Sequence, residues 1–145
     1  MCGIPGSGKS YWSKTVKDAV VVSRDEIRFS LLSDGEDYFS HEDEVFDIFI
    51  KNIKKALEEN DLVVADATHI TKKSRNKTLD CLNLKNVDVI PVCFKVPLET
   101  IFKRNEQRTG RALVPRSVIR RFYSQFDPPT KNEKHNYKQI IVIKE

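Results

Sequence analysis

The chain lacks any apolar run near the roughly 20 residues that a membrane span requires, and it has no internal repeat, low-complexity tract or linker-like segment. Those absences exclude a spanning helix, a repeat array and a string of loosely joined modules. Cysteine is scarce as well. Cys2, Cys81 and Cys93 form an odd set without C-x-x-C spacing, which argues against zinc and for reduced thiols in a cytoplasmic setting. Cys93 sits in an apolar run and reads as a small buried side chain. The N-terminus passes directly into a glycine-rich loop, so no signal peptide is expected.

What remains is an ordinary soluble composition, 39% hydrophobic and 32% charged over 145 residues. That length predicts one domain, residues 1–145, burying roughly two-thirds of its unfolded surface. Charge is unevenly placed. Seven basic residues, Lys103, Arg104, Arg108, Arg111, Arg116, Arg120 and Arg121, stand against one acid, Glu106, while the stretch Asp34 to Asp47 holds seven acids and no Lys or Arg. The chain therefore carries a basic face and an acidic face.

The most specific feature is Gly3-Ile4-Pro5-Gly6-Ser7-Gly8-Lys9-Ser10, which satisfies the phosphate-loop pattern G-x-x-x-x-G-K-[ST] at every fixed position. Glycines allow the backbone to bend through positive φ and bring N–H groups against phosphate oxygens. Lys9 supplies a charge for the β- and γ-phosphates, and Ser10 offers a hydroxyl to Mg²⁺. A nucleoside triphosphate is the expected ligand, with Gly3, Pro5, Gly6, Ser7, Gly8, Lys9 and Ser10 around it.

Continuous β-branched runs at Val20–Val22, Leu62–Ala65, Val87–Val96 and Ile140–Ile143 predict strands of a parallel sheet covered on both faces. Helical periodicity predicts helices at Ser10–Lys17, Asp25–Leu32, Glu42–Asn60, Thr71–Leu84, Pro97–Gln107 and Pro115–Phe126, the last two opening on proline in the first turn. Alternating strands and helices predict an α/β three-layer fold of the P-loop NTPase kind, its sheet mainly parallel and helices on both faces. Only Met1 and Cys2 precede Gly3, so the strand that normally leads into such a loop is expected to be missing or truncated, with the natural chain starting upstream.

Three clusters follow strand ends, where open α/β sheets place ligands. Asp25, in Ser23-Arg24-Asp25-Glu26-Ile27-Arg28, is placed to accept a proton from an incoming hydroxyl, and Arg28 on the same helical face can hold an acceptor phosphate; equally, Asp25 can cap the helix and Arg28 be solvated. Asp66 ends an apolar strand in the Walker B manner and can position Mg²⁺; His69 reads as a surface or supporting histidine. Arg104 and Arg108, one turn apart before Gly110, can meet the charge of a transferred phosphoryl group from a lid at about 104–114, or simply complement a helix end.

In order, G-x-P-G-S-G-K-S, S-R-D-x-x-R, V-V-x-D-A-T and R-N-x-x-R-x-G-x-x-x-V-P-x-x-V-I resemble the kinase domain of polynucleotide 5′-hydroxyl kinases and, more broadly, small AAA-type P-loop kinases, from Gly3 to about Phe126. The resemblance implies that Asp25 is the general base, that Arg28 contacts a phosphate of the acceptor strand, that Lys9 and Ser10 act on ATP and Mg²⁺, and that Arg104 and Arg108 clamp the donor phosphates. It departs from the family pattern at the first strand, at Tyr11 in place of the usual threonine, and in having no phosphatase or ligase domain within these residues. The expectation is an ATP- and Mg²⁺-dependent kinase acting on a hydroxyl, foremost the 5′-OH of DNA or RNA. A small-molecule kinase of the same fold and a nucleotide-dependent regulatory ATPase are the alternatives.

Overall fold

A computed structural model describes residues 1–145. Its elements run α1 (Lys9–Ser13), β1 (Val20–Ser23), α2 (Arg24–Leu31), α3 (Glu42–Glu59), β2 (Val63–Asp66), α4 (Lys72–Leu82), β3 (Val92–Lys95), α5 (Leu98–Glu106), a 3₁₀ turn at Gly110–Ala112, α6 (Arg116–Gln125) and β4 (Ile141–Lys144). They fall into two compact units, residues 10–67 and residues 1–9 with 68–145.

In the unit of residues 10–67, β1 and β2 pair in parallel, with Val20 opposite Val63 and Ser23 opposite Asp66. This register sets the C-terminal ends of the two strands level. Helix α3 buries Val45, Phe46, Phe49, Ile50, Ile53 and Ala56, a stripe at three- and four-residue spacing that packs against both strands. Ser23 caps α2 by accepting from the Glu26 amide at 3.2 Å, which starts the helix immediately after the strand and fixes Asp25 in its first turn. Helix α1 ends sooner than its periodicity predicts. The chain breaks into turns closed by Thr15 N–H to Trp12 O and Val16 N–H to Ser13 O, and Asp18 takes a positive φ of 59° that no helix continues.

In the other unit, β3 and β4 pair in parallel from Val92 with Ile141 to Lys95 with Lys144. Cys2 lies beside β3 as a single parallel bridge, its N–H donating to Val92 O and its carbonyl accepting from Phe94 N–H, both at 2.8 Å. Gly3 N–H donates to Thr68 O at 2.8 Å. The stretch before the loop is thus held on both sides in the manner of a sheet strand. The strand expected over Val87–Val96 begins only at Val92. Pro91 has no N–H to give a ladder, and Asn86 has turned to φ 56°. Pro97 and Pro115 stand just before α5 and α6 as their caps, with φ of −58° and −55°, rather than inside the first turn.

The apolar core of this unit is Ile4, Ile70, Val96, Ile101, Phe102 and Ile119. Cys2 and Cys93 are buried and Cys81 is exposed, all three as free thiols. Burial pushes the Cys93 thiol up to about 11 and raises that of Cys2. The C-terminal segment is anchored by a buried polar cluster. Arg75 of α4 donates to both Glu133 carboxylate oxygens, to Asp127 O at 2.7 Å and to His69 O at 3.1 Å, and Tyr137 O–H donates to Glu133 at 2.6 Å. Burial alone would raise the Glu133 carboxyl, but the Arg75 and Tyr137 hydrogen bonds hold it below its ordinary value.

Candidate functional site

The loop Gly3–Lys9 is built as a concave backbone turn. Gly6 and Gly8 take φ of 86° and 94°, conformations that side chains rarely adopt, and Ser7 N–H closes a turn on Ile4 O at 3.2 Å. Space for a side chain is tight at Gly3 and Gly6 and ordinary at Gly8. A Cβ at Gly3 would lie 2.7 Å from Ser7 Oγ, one at Gly6 would lie 3.1 Å from Ile101 Cγ2, and one at Gly8 would lie 3.6 Å from Arg104 Nη1. Lys9 is buried, its ammonium donating to Ile4 O at 3.1 Å. Ser7 Oγ is buried without a hydrogen-bond partner, an orphan polar atom that a phosphate oxygen in the loop would satisfy.

Arg104 of α5 reaches this loop, with Nη1 3.4 Å from Gly6 O and Nη2 paired with Glu145. Arg108 does not share its helical face. Helix α5 stops at Glu106, and the Arg108 guanidinium turns to Ala112 O at 3.4 Å. The spacing that predicts two arginines on one side of a helix fails because the helix ends between them. A residue that the sequence reading passed over shapes this segment instead. Asn105, buried in α5, donates to Val114 O at 2.7 Å and accepts from Val114 N–H at 3.0 Å, tying the far end of the expected lid to the helix that carries Arg104. The signal available was an asparagine inside an otherwise basic and apolar helix.

In the unit of residues 10–67, Ser10 Oγ donates to Asp66 Oδ2 at 2.9 Å, and Asp66 is buried. A hydroxyl joined to a carboxylate is an all-oxygen donor set of the kind that a hard cation takes together with phosphate and water oxygens, so these residues fit Mg²⁺. His69, in the other unit, is buried rather than at the surface. Its ring nitrogens contact Met1 O at 3.0 Å and Thr78 Oγ1 at 3.1 Å, which makes it a packing residue.

Asp25, at the start of α2, is largely exposed, with 63% of its side-chain surface open. Its Oδ1 accepts from Arg28 Nη1 and from Tyr38 O–H, the latter at 2.7 Å. Arg28 is buried and fully engaged. Nε donates to Glu42 Oε1 at 2.6 Å, Nη2 to Glu42 Oε2 at 3.1 Å, and Nη1 also to Tyr38 at 2.8 Å. The guanidinium lies over the Tyr38 ring, 4.4 Å from its centroid. Burial works against the Arg28 charge, yet the Glu42 hydrogen bond and the surrounding acids raise its pKa further. Glu42 mirrors this. Burial would raise its carboxyl, and the bonds and charges of Arg28 and Arg24 lower it. Burial, then the charge of Asp25, push the Tyr38 phenol well above its ordinary value, so it stays a donor. Tyr38 and Glu42 were not singled out in the sequence, where they appear only as members of an acidic run.

A family model described as an AAA domain matches residues 1–129. A putative bifunctional polynucleotide kinase/RNA ligase of Autographa californica nuclear polyhedrosis virus is 25% identical over 140 residues, covering 87% of this chain and 20% of that protein. Among solved structures, one of the Pnkp1/Rnl/Hen1 RNA repair complex superposes with a TM-score of 0.71 at 26% identity, over 86% of this chain and 42% of the other. A gluconokinase from Sinorhizobium meliloti 1021 superposes with a TM-score of 0.59 at 14% identity, over 99% of this chain and 79% of the other. The fold is that of P-loop kinases. The chain spans a fifth of the viral relative's length and less than half of the repair-complex chain. No helix is long and apolar enough to cross a membrane.

Proposed function

The chain belongs to the AAA domain family, and from that premise we propose that it is a phosphotransferase domain that moves the γ-phosphoryl group of ATP to the 5′-hydroxyl of a nucleic acid. One observation carries the choice of a kinase over a nucleotide switch. The open carboxylate Asp25 stands just past Ser23, the residue in register with Asp66, so a proton acceptor and the Ser10–Asp66 pair share one strand-end edge. A switch that passes phosphate to water has no need of that acid.

In this reading the loop amides, Lys9 and Arg104 hold the donor phosphates, with Arg108 joining them from the lid. Ser10 and Asp66 would hold Mg²⁺, which would supply charge neutralisation to the transferred phosphoryl group. The acceptor oxygen attacks the γ-phosphorus, the bond from that phosphorus to the β–γ bridging oxygen breaks, and the hydroxyl proton passes to Asp25. Arg28 and Tyr38 hold the Asp25 carboxylate in place. For Arg28 to meet an acceptor phosphate as well, it would have to leave Glu42 or Tyr38. The relatives named as polynucleotide kinase and RNA repair proteins support the nucleic-acid acceptor.

The test is an acceptor screen with γ-labelled ATP, offering 5′-OH DNA and RNA oligonucleotides beside nucleosides and sugars. Label on 5′-OH ends alone is the expected result. Label on a sugar alone would reassign the acceptor, and inorganic phosphate with no labelled acceptor would overturn the kinase reading.

A further inference from the structure

Phosphoryl transfer accounts for Asp25 and leaves the aromatic surface beside it without a task. Tyr38, hydrogen-bonded to Asp25, is the centre of a three-ring group. Phe29 meets it edge-on with centroids 6.1 Å apart, and Phe39 meets it at 4.8 Å with an interplanar angle of 83°. One face of Tyr38 is taken by the Arg28 guanidinium. Phe39, at the outer end, is 51% exposed. A lone exposed phenylalanine is unremarkable, but this one is coupled through a single ring to the group proposed to accept the proton.

The surroundings restrict what such a ring can bind. Seven acids lie between Asp34 and Asp47 with no Lys or Arg among them, so a phosphate here meets repulsion within a Debye length of about 8 Å. Arg28, the cation nearest to Asp25 in its hydrogen bonds, is already engaged by Asp25, Tyr38 and Glu42. An uncharged flat ring system meets neither obstacle, and it gains the contact that exposed aromatics give to bases.

We propose that Phe39, braced by Tyr38, is the stacking platform for the nucleobase of the nucleoside whose hydroxyl approaches Asp25. The inference rests on the kinase reading above and deepens it by naming the feature recognised, a nucleobase next to the reacting hydroxyl rather than a phosphate. The base belongs either to a strand terminus or to a free nucleoside. Because every base has a π-face, recognition is tolerant of sequence.

The experiment uses the full chain and a 5′-OH oligonucleotide carrying 2-aminopurine at its first position, read by fluorescence and by label transfer from ATP. Binding should quench the fluorophore. Phe39→Ala should remove the quench and raise the acceptor KM by about tenfold or more, with a smaller change in kcat, and Phe39→Trp should restore both. An acceptor with an abasic first position should be as poor for the unaltered protein as the intact acceptor is for Phe39→Ala. Phe39 is half exposed, so its truncation removes little core packing, and Phe39→Leu, which keeps apolar bulk without the ring, should behave as Phe39→Ala does. Free adenosine as a second acceptor separates the two sources: label on it with the same Phe39 dependence supports a nucleoside site, and label on strand ends alone supports a terminus site. Transfer that ignores Phe39, or binding without quenching, overturns the platform while leaving the kinase. Quenching without any labelled product overturns the kinase reading, and absence of both overturns the two together.

Discussion

Glu42 grips Arg28 at two points, Oε1 to Nε at 2.6 Å and Oε2 to Nη2 at 3.1 Å, and so joins the first turn of α3 to the helix that presents Asp25. The guanidinium is thereby a structural bracket for the carboxylate. Glu42→Ala should cost about 2 kcal/mol of stability, the range for a hydrogen bond to a charged group, and should lower transfer by loosening Asp25. Urea unfolding and initial rates measured on the same preparation check both effects, and Glu42→Asp should recover less of the rate than of the stability because its shorter arm moves the bracket.

Asp25→Asn removes the proposed proton acceptor and keeps an oxygen for the Arg28 and Tyr38 contacts. Transfer should fall by roughly 10²–10⁴-fold, the usual contribution of a general base, while ATP still shifts the melting temperature. Near-normal transfer in this variant would remove Asp25 from the mechanism.

Glycine substitutions separate backbone strain from crowding. Gly6→Ala meets both, because φ is 86° and the new Cβ would sit 3.1 Å from Ile101 Cγ2 and 3.3 Å from Ile101 O. Gly35→Ala meets a φ of 80° with nothing within 4 Å. Gly35→Ala should lose about 1–2 kcal/mol, the cost of a left-handed residue, and keep ATP binding. Gly6→Ala should lose more and should also lose the ATP-dependent rise in melting temperature.

The buried pair Arg75–Glu133 predicts the acid limb of stability. The Glu133 carboxyl is held below its ordinary value in the folded chain, so its contribution is complete above about pH 4.3, the unperturbed glutamate value, and is lost as pH falls through the lower folded value. Glu133→Gln leaves the Arg75 charge buried against a neutral amide and should cost about 3–5 kcal/mol at neutral pH. Its stability should then change less with pH in the acid range than that of the unaltered protein.

Local signals were legible and long-range ones were not. The phosphate loop could be read because its chemistry lies in eight consecutive residues, and α3, β1, β2 and β4 could be read within a residue at each end because apolar spacing is a local property. The third strand and the first helix are shorter than their runs predict, because Pro91 has no N–H to give a ladder and the chain after Ser13 closes turns on Trp12 O and Ser13 O instead of continuing the helix. Arg28 could be read as a cation near Asp25, but its partner Glu42 lies fourteen residues on, and only the packing of α2 on α3 decides that they meet. The sequence leaves His69 either at the surface or in a supporting place, and which of the two it takes depends on Met1 O and Thr78, contacts that no spacing announces.

The cysteine arrangement offers an experimental handle. With Cys2 and Cys93 enclosed and their thiols held protonated at neutral pH, only Cys81 on α4 presents sulfur to solvent. A maleimide dye would therefore tag the native molecule once, and a second equivalent taken up over time would report opening of the strand pair on which the loop's leading residues rest.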